Sequence, residues 1–143
     1  MFNILSGLQE GSQSVMITQR KGAAGFVKGT VVSNTTVANT CAKADALAHG
    51  GAAEFVFEDL LSQTSGMYTV VTGKMEFETD QVSGSPTIGT YLKVGTGSTA
   101  GLLVPESVPA TPTLATVAKV VDTYTLANTA QGTSTTVYRC QTI

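Results

Sequence analysis

The sequence predicts an all-β domain: a small barrel or sandwich of about eight short strands, with minor helix and an extended N-terminal arm. Three observations predict it. Thr and Val number 23 and 16 in 143 residues, and both are β-branched, stiff at χ1 and strand-favouring. Fifteen Gly are scattered between the Thr/Val runs, where they supply turns. Short runs bounded by turn signals recur along the chain at the spacing of a barrel or sandwich.

The first 25 residues differ from the rest. Phe2, Ile4, Leu5 and Leu8 make a short apolar pattern, Gly11 to Ser14 breaks it, and Val15-Met16-Ile17 follows as a sticky segment. Arg20 to Gly25 is small and locally basic. This stretch is too short for a core of its own and too apolar for a solvated tail. We read residues 1–25 as an arm that packs on a neighbouring subunit through Phe2, Ile4, Leu5, Leu8, Val15 and Ile17; the alternative is a first strand that joins the local sheet.

The body, residues 26–143, starts with a strand from Phe26 to Val32 and a turn at Ser33–Thr36. Asn39 to Gly51 is Ala-rich and stopped by Gly50-Gly51, the pattern of a helical turn or two. Ala52 to Phe57 returns to strand, and Glu58 to Gln63 is a loop. Tyr68–Thr72 is expected to pair across Gly73-Lys74 with Met75–Asp80, where Met75, Phe77 and Thr79 alternate with Glu76, Glu78 and Asp80. Strands at Tyr91–Val94 and Leu102–Val104 flank the turn Gly95–Ser98. Pro105, Pro109 and Pro112 mark an exposed, stiff loop. Strands at Leu114–Asp122 and Ser134–Ile143 close the chain, and no second domain is expected.

Composition narrows the function. Charged residues are 13%, about half the usual ~25%, and the net charge is −2. That argues against a duplex-DNA binder, which needs clustered cations against the phosphates. Low charge with a mean hydropathy of +0.18 argues against disorder. No apolar run approaches the ~20 residues of a membrane helix. The N-terminus has neither a basic n-region nor a long h-region, so a soluble protein made inside the cell is expected.

One His, His49, and two distant Cys, Cys41 and Cys140, do not make a zinc constellation. The cysteines are expected as two buried thiols, although a bridge is conceivable if the C-terminal strand lies beside residue 41. Glu54, Glu58 and Asp59 form one acidic group, and Glu76, Glu78 and Asp80 form another that reads as a solvated or subunit-facing stripe. Without Trp and with few Tyr, a glycosidase cleft lacks its stacking platform. Gly95 to Gly101 superficially matches a dinucleotide loop, but it leads into extended Leu102-Leu103-Val104-Pro105 rather than a helix. Asn34-Thr35-Thr36 is a chance glycosylation match. No catalytic, cofactor or metal residue is expected, and the chain reads as a non-enzyme built for assembly.

The layout resembles the small head decoration, or cement, proteins of tailed bacteriophages. The resemblance rests on the arm from Met1 to Gly25, on Gly89–Gly95 leading into Gly101–Pro105, and on Leu114–Asp122 after a Pro-rich loop. It implies a β-barrel on the outside of an icosahedral shell that clamps copies of the major capsid protein of the same phage. It also implies a homo-oligomer, with a trimer favoured and a dimer left open, with no nucleic-acid or membrane partner, made in the host cytoplasm. Two other readings remain open: a phage tail, neck or fibre β protein, and a small carbohydrate- or surface-binding β module.

Overall fold

A computed structural model describes residues 1–6, 15–45, 53–58, 66–128 and 133–143. Among these residues eleven strands form two antiparallel sheets packed as a β-sandwich rather than a closed barrel. They are β1 (Phe2–Ser6), β2 (Val15–Lys21), β3 (Val31–Asn34), β4 (Cys41–Lys43), β5 (Glu54–Glu58), β6 (Met67–Gly73), β7 (Glu76–Thr79), β8 (Tyr91–Val94), β9 (Leu103–Pro105), β10 (Thr116–Asn128) and β11 (Thr133–Thr142). One sheet has the order β1-β7-β11-β10-β8-β9, and the other β2-β6-β5-β3-β4. The described helix is a single 3-10 turn at Gly97–Thr99.

The sheets bury one continuous core between them. Alternation decides which side chains enter it: in β7 and β8 every second residue is buried, so Phe77, Thr79, Leu92 and Val94 point inward. Phe55 and Val71 meet them from the five-stranded sheet, with Phe2, Val120, Tyr138 and Cys140. Phe2, Phe55 and Phe77 make the aromatic centre, with ring centroids 4.9–5.2 Å apart.

The five-stranded sheet is buried on its other face as well. Val32, Cys41, Val56, Tyr68 and Val70 form a second cluster, closed by Phe26. Phe26 reaches it because residues 26–30 are not the expected start of a strand but lie between and around turns at 24–25 and 28–29; Gly25 and Gly29 adopt φ of 95° and 90°, which only glycine accepts readily. Tyr68 pins this segment: its hydroxyl donates to the Ala23 carbonyl at 2.7 Å and accepts from the Phe26 amide at 3.2 Å. Tyr68→Phe leaves the buried Phe26 amide without this partner and is expected to lower stability by about 1–3 kcal/mol in urea denaturation, with unchanged strand content by circular dichroism.

Two expectations are corrected. The described parts of residues 1–25 include β1, paired with β7 in one sheet, and β2, paired with β6 in the other, so they are built into the sandwich. The hairpin across Gly73-Lys74 does not form. β6 pairs with β2 and β5 while β7 pairs with β1 and β11, and the chain crosses between sheets at this point. Residues 41–43 of the Ala-rich stretch are strand β4; residues 46–52 and 59–65, with His49, lie outside the described residues.

The C-terminal hairpin is longer than expected. β10 and β11 pair from Ala118↔Thr142 to Asn128↔Thr133, whereas β8 reaches only Lys119 and β7 only Tyr138. Thr123–Ala127 and Ser134–Val137 therefore extend as a two-stranded ribbon beyond the sheet. Its β-branched Thr residues keep the strand going beyond Asp122, where it was expected to end.

Candidate interaction surface

Among the described residues no three His, Cys, Asp or Glu gather as a metal site. The two cysteines are free and buried. Cys140 faces the core between the sheets, where burial pushes its thiol up to about 12. Cys41 lies on the far face of the five-stranded sheet, and burial raises its thiol although Arg20 acts to lower it. The C-terminal strand belongs to the other sheet, so the condition for a bridge is not met. Both thiols are protonated at neutral pH and poor nucleophiles.

The acidic side chains are held within the chain. Glu78 accepts from the Tyr124 hydroxyl at 2.6 Å and from the Asn3 amide at 2.8 Å, and these two bonds hold its carboxyl below the usual range. Burial pushes the Asp80 carboxyl up, but the Met1 ammonium at 2.8 Å and the Gln81 amide outweigh it and leave the group lowered. Glu76 lies 3.9 Å from Arg139, and Glu54 is 3.2 Å from Arg20. The expected outward stripe is thus a set of intramolecular pairs. Lys119 over the Tyr91 ring, 5.3 Å from its centroid, extends this polar mosaic across the six-stranded sheet.

These pairings set an acid dependence. A carboxyl whose value is lower folded than unfolded adds stability that is present above the unfolded value and lost as pH falls through the folded one. Glu78 and Asp80 are both of this kind. The urea midpoint is expected to hold near neutral pH and to drop below about pH 4. Glu78→Gln should flatten part of that drop, as measured by denaturation at a series of pH values.

Glu106 organises the Pro-rich loop. It is buried, and its Oε1 accepts from the hydroxyls of Thr113 at 2.9 Å and Thr116 at 2.8 Å, with Lys93 Nζ 4.0 Å from Oε2. The Tyr91 amide donates to the Pro109 carbonyl at 2.8 Å, and the Gly89 amide to Val120 at 2.8 Å. Two adjacent loops are thereby fixed, and they carry Ile88, Val108 and Leu114 in the open, at 63%, 61% and 106% exposure. The sequence reading found this loop through its prolines and did not name its apolar side chains.

The six residues expected to grip a partner divide. Phe2 is 2% exposed and stacked on Phe55 and Phe77, so it is a core residue; an aromatic ring with two ring partners in its own chain has no face left for another. Ile4 and Val15 are half-buried against the same core. Leu5 on β1 and Ile17 on β2 are exposed, joined on β2 by Met16. Leu8 lies outside the described residues. The exposed apolar side chains able to meet a partner include those of the β2 edge and of the loop tips, set on a largely uncharged exterior. No family model matches the chain, and no curated protein matches it either.

Proposed function

We propose that this chain is a non-enzymatic structural protein that decorates a bacteriophage capsid and stabilises it by bridging subunits of the major capsid protein. The observation that carries the reading is the set of exposed apolar side chains, Ile88, Val108 and Leu114, on loops held rigid by Glu106 and backbone bonds. Apolar tips on a preorganised scaffold favour protein contact, because little ordering entropy remains to be lost on docking. The stretch that carries the resemblance, Gly89–Gly95 into Gly101–Pro105, forms β8, a turn and β9. Many copies, each touching more than one shell subunit, convert modest contacts into strong reinforcement.

The grip assigned to the N-terminal arm passes to these loops and to β2. The carbohydrate-module reading needs an exposed aromatic platform, yet Tyr68 and Tyr138 are buried and Tyr124 is bonded to Glu78. The test is the copy number of this chain in purified particles relative to the major shell protein. A near-stoichiometric ratio is expected. A handful of copies per particle would instead favour a tail, neck or fibre position, and absence from particles would overturn both.

A further inference from the structure

Sheet edges present unpaired backbone groups, and proteins blunt them with proline, bulges, short length or a cover. Three of the four edges here carry such a device. β9 has three residues, ends in Pro105 and is covered by Gln81 and Ser83, whose backbones bond Leu103 at 3.1 and 2.8 Å. β4 has three residues. β1 is bulged between Ile4 and Ser6.

β2 has none. Its seven residues run in unbroken register with β6, from Val15↔Gly73 to Lys21↔Met67, without proline or bulge. The Lys21 amide donates to Asn39 at 2.7 Å, away from β6, whereas the Gly22 amide donates to Gly66 at 3.0 Å on the β6 side. By alternation, Val15, Ile17 and Gln19 aim their N–H and C=O groups outward. Among the described residues nothing meets them. Met16 and Ile17, 62% and 52% exposed, flank this row on opposite faces.

We propose that β2 pairs antiparallel with β2 of a second copy of this chain, about a two-fold axis at Ile17, joining two five-stranded sheets into one. The edge is complementary to itself in this register. Ile17 opposes Ile17 of the second copy, and Val15 opposes Gln19, so every outward group finds a partner in about six backbone hydrogen bonds. The Lys21 amide is already taken, which ends the pairing after Gln19. Met16 comes opposite Thr18 and is covered. Charge permits the arrangement: Arg20, bonded to Glu54, and Lys21 fall outside the paired stretch, so no like charges face each other. A two-fold contact also closes on itself, while an offset edge contact would propagate into a filament. The inference rests on the edge alone and not on the capsid reading; it replaces the three-fold state implied by the resemblance with a two-fold one.

The test uses single cysteines in the full chain, since the native Cys41 and Cys140 are buried. In this register the two Cα atoms at position 17 lie about 5.5 Å apart, within disulfide reach, whereas the two at position 19 are separated by roughly 14 Å. Mild oxidation should convert Ile17→Cys largely to a covalent dimer and Gln19→Cys at least tenfold less. The unsubstituted chain should sediment at twice the mass of one chain. Ile17→Lys, which sets two cations on the axis, should sediment as a folded monomer. If that variant does not fold, slow amide exchange at Ile17 and Gln19 in the unsubstituted protein is the equivalent expectation. A monomer at high concentration, equal cross-linking at both positions, or an oligomer indifferent to Ile17→Lys would overturn the proposal.

Discussion

A chain lacking residues 1–20 is expected not to fold cooperatively. The deletion removes β1 and all of β2 but Lys21, one edge strand from each sheet. With β1 goes Phe2, which fills the space between Phe55 and Phe77. That loss alone resembles a Phe→Ala change in a core, about 3–5 kcal/mol. With β2 go the six register pairs to β6 from Val15↔Gly73 to Arg20↔Tyr68, the half-buried Val15 and the ion pair from Arg20 to Glu54. Domains of this size are stable by only about 5–15 kcal/mol, so the combined loss consumes most or all of the margin. The measurement is a thermal melt followed by near-ultraviolet circular dichroism, with a dispersed amide spectrum as second readout. The expected trace has no cooperative transition. A truncated chain that melts within a few degrees of the full one would restore the arm that the sequence reading favoured.

The arm and the strand could not be told apart locally. Phe2, Ile4 and Leu5 followed by a Gly/Ser break suit either a sticky extension or an edge strand. What decides is Phe77, distant in sequence, whose β7 offers a free edge to Phe2–Ser6. The same limit explains the misplaced hairpin. Two alternating runs separated by Gly73-Lys74 carry the short-range signature of a hairpin, but β11 and β1 claim β7, and β2 and β5 claim β6. Pairing between distant strands is not written in any window of the chain.

Local signals were legible where local physics decides. The alternation in Met75–Asp80 placed Phe77 and Thr79 inward, and the 3-10 turn with β9 follows Val94 where glycines and Pro105 suggested a turn and a short strand. Val104 and Tyr91 fell in strands as expected. The exposed apolar tips were not legible, because Ile88, Val108 and Leu114 differ from core residues only in what Glu106 and its two threonines do to the loop around them.

Phe77→Ala is expected to cost about 3–5 kcal/mol, the other large effect. The residue is fully buried on the central side of β7, with ring centroids 5.1 Å from Phe2 and 4.9 Å from Phe55. Removing it leaves a cavity bordered by two rings on different strands, and neither can collapse into the space without breaking its own register. Urea denaturation should show a lower midpoint with an unchanged slope, since the unfolded surface is the same. Pairing it with Phe2→Ala in a double-mutant cycle separates ring packing from burial: a coupling of about 0.5–1.5 kcal/mol is expected between stacked rings. The cycle also bears on the N-terminal segment. Coupling of that size requires Phe2 to sit in the core of its own chain, whereas additive losses would mean that the ring spends its time elsewhere, free for a partner.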